Sequence, residues 1–545
     1  MKKARAYHHW LLALFPTLFL FNQNMNEYSL AVVVVPLALT LALVFALWLA
    51  FFIVSRNNEK AALISSLFVL LFFSYGHICD LLWYFFTVRP FTFREGANVI
   101  LAPFSSVLFV VAVIWTVRTR RDLNGVTRWG NAVAIIIIII QVLSIGVQAI
   151  TSGGSISSKR GKEFEPRLNT SSETPNDLPD IYYLILDGFA REDVLADLYS
   201  YPNSALYNYL RRSGFYVGRR SGANYCQTML SLASSLNYKY VKPEEDGFDP
   251  NSDDRSPLNR MVLRNRAVEF LRDQGYTIVA LATGSQPTEM RNADIFLEPA
   301  SKLWFLDEFQ SGLLNTTPIP YLWPKMDHLP FFDRSISHPQ AAARRELILR
   351  TFNLLAELPG RASPKFVFAH LVSPHPPFLF GPNGEPQDPP STFTLADGNV
   401  LIGHWVRTRE EYLAQYRAQL QFIEKKTIAA IEAILAHSAR PPIIVLQADH
   451  GPGAYLVWHS SDKTDLRERL SILNAYYLPD GGDTLLYDTI TPVNTFRVIF
   501  NHYFDQRLAL LPDYSYFSLW KKPYWFIRVD DEVQGRAPDR PPATK

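Results

Sequence analysis

Ile443-Ile444-Val445-Leu446-Gln447-Ala448-Asp449-His450-Gly451 sets an apolar, β-branched run directly against an oxygen and a nitrogen ligand. The run has the length and composition of a buried strand, and adjacent Asp and His rarely have a core reason to follow one. Two comparable runs lie upstream. Ile181–Leu186 ends on Asp187-Gly188, and Lys365–Val372 contains His370 and leads into Ser373-Pro374-His375-Pro376-Pro377-Phe378. Tyr276–Ala282 and Ile472–Leu478 are further candidate strands, while 257–274, 340–358 and 408–436 carry helical periodicity. This alternation predicts an α/β domain with a mainly parallel sheet, whose ligands bind beyond the carboxyl ends of the strands.

Working back toward the N-terminus, the composition changes near residue 151. Up to there apolar runs dominate; beyond it charge, proline and glycine occur at the density of a globular domain. A bilayer core needs roughly 20 apolar residues in a helix. Five segments approach or exceed that length, at about 7–22, 30–54, 60–87, 97–118 and 131–150, and the first holds Pro16. No small-residue cleavage site follows Phe21, so the first segment reads as retained rather than as a signal peptide. Lys2, Lys3 and Arg5, then Arg56 and Lys60, then Arg118, Arg120, Arg121 and Arg128 occupy the N-terminus and alternate loops. Basic residues collect on the cytoplasmic side, so an odd number of helices sends the chain after 151 across the membrane. The expected organisation is a helical membrane domain over 1–151, a linker over 152–179 rich in Ser, Gly, Thr, Asn and Pro, and an extracytoplasmic domain over 180–545.

Charge narrows the function by exclusion. With 53 basic and 51 acidic residues the net charge is +2, which argues against a nucleic-acid groove. Cys79 lies inside an apolar run and Cys226 far along the globular part, so the two are not expected to pair. His77 and Asp80 stand near the outer end of the third apolar segment, within reach of water or headgroups.

The polar residues at the strand ends carry the chemistry. Asp187 is either a turn residue capping the next helix or a ligand; Asp449 with His450 is the stronger signal, because Zn²⁺ or Mn²⁺ accepts both ligand types. His370 and His375 flank a Pro-bounded turn, where an imidazole can hold an anionic oxygen or give a proton to a leaving group, although His370 alone also suits a structural role. Asn224–Asn237 is a polar turn running into an apparent helix. Thr228 at its start is either an ordinary N-cap or a hydroxyl placed where amide N–H groups and the helix dipole favour an oxyanion.

Taken together, these residues resemble the alkaline phosphatase/sulfatase superfamily, in particular its membrane-anchored lipoteichoic-acid synthases and phosphoethanolamine transferases, over roughly 180–505. The resemblance implies a catalytic divalent cation, Zn²⁺ or Mn²⁺ before Mg²⁺ or Ca²⁺, held by Asp187, Thr228, Asp449 and His450, with Thr228 as nucleophile. It also implies that His370, His375 and, some ten residues after Asp449-His450-Gly451, His459 contact the substrate. The sulfatase C-x-P-S-R or C-x-A-x-R motif is absent, since Cys226 is followed by Gln227, Thr228, Met229 and Leu230. Three functions compete: transfer of a phospho-substituent from a lipid-linked donor to an envelope glycan or lipid, hydrolysis of a sulfuric or phosphoric ester, and an inactive scaffold. The aromatic-rich tail Tyr514–Phe526 is read as domain packing, with contact to lipid headgroups as the alternative.

Overall fold

The computed structural model describes residues 4–25, 30–86, 93–154, 178–298, 308–322, 338–388, 393–402 and 406–534. The predicted linker falls almost wholly outside this set. The chain divides into two units: one holds residues 1–157, 306–338 and 391–393, the other the remainder.

The helical unit contains α1 (His8–Asn24), α2 (Val34–Ser55), α3 (Asn58–Phe86), α4 (Phe93–Arg118) and α5 (Asn124–Gly154). Four helical stretches, Leu30–Ser55, Asn58–Cys79, Ile100–Arg118 and Asn124–Val147, are long and apolar enough to cross a bilayer. The first expected span forms α1, but at 17 residues it is shorter than these. It nevertheless lies along α5 in the same direction. Ala4 N donates to Asn124 Oδ1 at 2.8 Å and His8 N to Asn131 Oδ1 at 3.0 Å near its start; Asn22 Nδ2 donates to Gln141 Oε1 at 2.9 Å near its end.

The two ends of the bundle differ in character. At one end His8 Nδ1 meets Ser66 Oγ at 2.6 Å, and Lys60 Nζ donates to the carbonyls of Val117 and Thr119, both at 2.8 Å. Arg5, Arg56, Arg118, Arg120, Arg121 and Arg128 belong to the segments gathered there. At the other end a returning segment packs in, the helix Glu308–Asn315 with the residues after it. Phe309 is buried edge-on to Phe21 of α1, and Gly76 N of α3 donates to Thr316 O at 2.9 Å. A Cβ at Gly76 would strike the Asn315 carbonyl, so only glycine allows this approach. His77 is exposed with its ring edge-on to Phe19, and the Asp80 side chain lies outside the described residues. Since basic loops stay on the cytoplasmic side, the end taking 308–316 is the outer one. A reporter that works only outside the cytoplasm, fused after residue 151, is expected to be active; a reporter that works only inside should be silent there.

The second unit is built on a seven-stranded sheet of order β2-β7-β6-β1-β5-β3-β4, with β1 Ile181–Leu186, β2 Tyr216–Val217, β3 Thr277–Leu281, β4 Ile295–Leu297, β5 Lys365–Leu371, β6 Ile443–Gln447 and β7 Asn474–Tyr477. β1 runs parallel to both β5 and β6 in the centre, whereas β7 is antiparallel to β6 and β2 to β7. All residues of β1, β5 and β6 are buried, which is why their sequences are largely apolar rather than alternating, with Lys365, His370 and Gln447 as the polar exceptions in β5 and β6. Ile181, Tyr183 and Ile185 face one core with Phe366, Phe368, Ile443 and Val445, against the helix Thr228–Leu236. The expected helices 340–358 and 408–436 form as Pro339–Glu357 and Arg409–His437. The stretch 257–274 instead forms two helices, Ser256–Leu263 and Arg266–Asp273, because Asn265 turns its Oδ1 to Val268 N at 2.9 Å and caps the second. A hairpin of β8 (Tyr516–Leu519) and β9 (Lys522–Arg528) completes the unit.

Candidate metal centre

Because β5, β1 and β6 are adjacent and parallel, their carboxyl ends deliver their polar residues to one place. Asp187 follows β1 directly and its N–H donates to Leu371 O at 3.0 Å; Asp449 stands two residues beyond β6. Gly188, at φ +73°, makes the turn out of β1, donates its N–H to Asp449 Oδ1 at 3.3 Å and offers its carbonyl to the Tyr416 hydroxyl at 2.9 Å. The turn after β5 is tied to the same point by His375 N donating to Asp187 O at 2.9 Å. Gly451 closes the arrangement, since a Cβ there would run into the Glu468 carbonyl.

Asp187, Asp449 and His450 are all buried, with ligand atoms within 4.8 Å of one another. His450 Nδ1 lies 2.9 Å from the Gly451 carbonyl, which can only accept, so the neutral ring carries its proton on Nδ1 and its lone pair on Nε2. That lone pair faces Thr228 Oγ1 at 3.1 Å, Asp449 Oδ2 at 3.3 Å and Asp187 Oδ1 at 3.6 Å. Burial and the nearby Arg469 lower the pKa of His450 and keep the ring neutral. Among the described residues neither Asp187 Oδ1 nor Asp449 Oδ2 has a hydrogen-bond partner. Buried acceptors facing one another without protons repel, and a divalent cation is the species that satisfies them together. The separations fit a small one: ligands about 2 Å from a tetrahedral ion lie roughly 3.3 Å apart. Burial alone would raise the Asp187 carboxyl, but His375, His370 and His450 outweigh it and hold it below the usual carboxylate range.

Thr228 opens the helix Thr228–Leu236, is partly exposed, and is the hydroxyl at this cluster. Cys226, two residues earlier, points elsewhere: it is buried, accepts from Ser518 N at 3.3 Å and sits 3.5 Å from Ser518 O, and burial pushes its thiol pKa up. His370 comes in from β5, with Nε2 3.3 Å from Asp187 Oδ2 and Nδ1 3.1 Å from Thr288 Oγ1. His375 holds its Nδ1 proton on Pro376 O at 2.6 Å and its ring centre 6.1 Å from that of His450. His459 is exposed on the turn after Leu456, and no contact with the cluster is seen for it among the described residues.

Sequence reasoning missed Asp397, Arg469 and Glu468. Asp397 lies 3.9 Å from His375 Nε2, takes the Tyr412 hydroxyl at 2.7 Å and pairs with Arg469 Nη1 at 3.0 Å. Arg469, fully buried, also donates to the carbonyls of Cys226 and Gly451 at 3.0 and 2.9 Å, so it binds the segment before Thr228 to the one after His450. Glu468 accepts from Tyr199 and from Ala454 N and Tyr455 N at 3.0 and 2.8 Å, and burial pushes its pKa up to about 8. Leu466-Arg467-Glu468-Arg469-Leu470 looks in sequence like a solvated charged helix, and nothing local marks two of its charges as buried.

No family profile matches the chain, and no curated protein matches it by sequence. Solved structures do. The fold is similar to that of phosphoethanolamine transferases and sulfatases. The integral membrane lipooligosaccharide phosphoethanolamine transferase A of Neisseria meningitidis aligns over 90% of this chain and 94% of its own, at 10% identity and a TM-score of 0.36. The periplasmic domain of EptC from Escherichia coli, in complex with Zn, aligns over 68% and 98%, at 12% identity and 0.41. A protein of the alkaline phosphatase superfamily from Vibrio parahaemolyticus aligns over 67% and 79%, at 12% and 0.36. These values record a likeness, and the chemistry is read from the side chains.

Proposed function

We propose that the chain is a membrane-anchored, metal-dependent transferase that moves a phospho-substituent from a lipid-linked donor to an extracytoplasmic envelope acceptor through Thr228. The observation that carries this reading is the placement of one partly exposed hydroxyl, Thr228 Oγ1, against the buried ligand-type side chains Asp187, Asp449 and His450. Asp187, Asp449 and His450 would hold the cation with Thr228. When bound it lowers the hydroxyl pKa and neutralises oxygens of the ester. Thr228 releases its proton to water and its Oγ attacks phosphorus in line; the Oγ–P bond forms as the bond to the leaving oxygen breaks. His375, with Nδ1–H held on Pro376 O and a second proton on Nε2, gives that Nε2 proton to the leaving oxygen. An acceptor hydroxyl, returning its proton to Nε2 of His375, then displaces Thr228, whose Oγ takes a proton back from water. The Asp397 carboxylate stands 3.9 Å from the same Nε2 and favours the ring while it carries that proton.

The test is turnover by the full-length protein in detergent. A water-soluble phosphodiester is expected to be cleaved, with loss on chelation and recovery on adding Zn²⁺ or Mn²⁺; a matched sulfate ester should be left intact. Metal-independent cleavage, or equal rates on both esters, would overturn the proposal.

A further inference from the structure

The tail 514–526 splits into two populations. Tyr516 stacks on Tyr225 at 5.6 Å, Phe526 lies 5.1 Å from the same ring, and Tyr524 lies 5.1 Å from Phe248, so these residues pack inward as the sequence reading favours. The hairpin tip does the opposite. Trp520 and Trp525 are 44% and 53% exposed, and Lys521 and Lys522 between them are exposed too. The strand register closes β8 on β9 at Leu519 and Lys522, so Trp520 and Lys521 form the turn itself. Trp520 packs one side of its ring on Trp458 at 5.0 Å and Trp525 has Lys522 at 5.7 Å, yet among the described aromatic residues of this unit these two indoles keep large areas open to solvent, which suits a partner at the hairpin.

The tip is also part of the rim around Thr228. Gln227, the residue before Thr228, donates its Nε2 to Ser518 Oγ at 2.9 Å; Arg255 Nη2 reaches Gln227 Oε1 at 3.1 Å, and its guanidinium lies 4.3 Å from the Trp520 ring. We propose that this Trp-Lys-Lys…Trp tip docks on the headgroup layer of an anionic bilayer and so presents the Thr228 mouth to esters carried by lipids. The assignment rests on the transferase reading for its purpose and on three observations for its partner. Indole rings with an apolar body and one N–H donor settle at the boundary between water and hydrocarbon. The adjoining ammonium groups complement anionic headgroups. And the same polypeptide carries helices long and apolar enough to span a bilayer, which joins the hairpin covalently to such a surface. A glycan or a second copy of the chain would use the indoles but leaves the paired lysines without a purpose.

The test uses the full-length protein in lipid nanodiscs. Both native cysteines are buried, so Lys521→Cys takes a polarity-sensitive fluorophore selectively. In discs containing phosphatidylglycerol the label is expected to shift to the blue and to be quenched several-fold by lipids bearing a quencher near the headgroup. In phosphatidylcholine-only discs, and in the labelled protein that also carries Lys522→Glu and Trp525→Ala, both effects should largely disappear. That variant should still cleave the water-soluble phosphodiester at the parent rate. A label that stays water-exposed in every disc would overturn the docking, as would quenching that tracks label-to-label transfer between copies. An equal loss of soluble-ester turnover in the tip variant would place the tip in the substrate site instead. Absence of any ester turnover would sink the transferase reading and leave the quenching result to decide the docking.

Discussion

Asparagine at position 449 is expected to release the metal while leaving the fold in place. Asp449 Oδ2 is one of the two unpartnered carboxylate oxygens aimed at the cluster, and Oδ1 takes the Gly188 N–H. Asparagine keeps the shape and the Gly188 contact but removes the charge that a divalent cation needs. Metal affinity should fall by at least about 100-fold and turnover with it, because changes merely outside the ligand set already cost 10–100-fold. The two proteins should then separate in opposite directions. With metal present the parent resists heat better; with metal stripped the Asn variant does, since it no longer buries two facing carboxylates, Asp187 and Asp449, without a cation between them. Metal analysis of the purified full chain and thermal unfolding with and without chelator check both halves. Stoichiometric metal in the Asn variant would remove Asp449 from the ligand set.

Thr228→Ala is expected to lower turnover by about 10³-fold or more and to abolish any phosphorylated protein adduct, because among the described residues Thr228 Oγ1 is the hydroxyl that meets His450 Nε2. Cys226→Ser should keep most of the rate. General chemistry favours the thiol as nucleophile, and near a helix start its pKa would ordinarily fall. Here burial drives that pKa the other way and Ser518 engages the sulfur, so the thiolate is neither formed nor aimed at the ligands. An adduct mapped by mass spectrometry to residue 226, or full activity in Thr228→Ala, would show the nucleophile misassigned.

The strands that carry the site were legible because burial on both faces leaves an unbroken apolar signature. Ile181–Leu186 and Ile443–Gln447 form with the bounds the sequence suggests, and the polar residue just beyond each is therefore found at once. Edge strands left no such trace. Tyr216–Val217 and Ile295–Leu297 are two and three residues long and are strands only through their neighbours; the interior strand read at Ile472–Leu478 does form, shortened to Asn474–Tyr477 and antiparallel to β6. The same distinction divides the site. Asp187, Thr228, Asp449 and His450 sit at ends of elements, where a polar residue is anomalous in one dimension. Asp397 comes from an irregular loop and Arg469 from a charged segment, and their burial depends on each other across 72 residues of chain. Pairing at that distance has no local pattern to read.

The returning segment sets an order on biosynthesis. α1 and α3 are made early, yet the partners of Phe21 and Gly76 are Phe309 and Thr316, which leave the ribosome only after α5, β1, β3 and β4. This end of the bundle thus stays unfinished through much of synthesis, and is closed only by chain made after the first strands of the sheet unit. A fragment cut to begin at residue 178 would inherit the opposite defect: it would carry Phe309, 2% exposed in the intact protein, with no helix to receive it. The helical unit and the sheet unit are therefore not separated by one cut, because residues from both halves of the sequence build the helical unit.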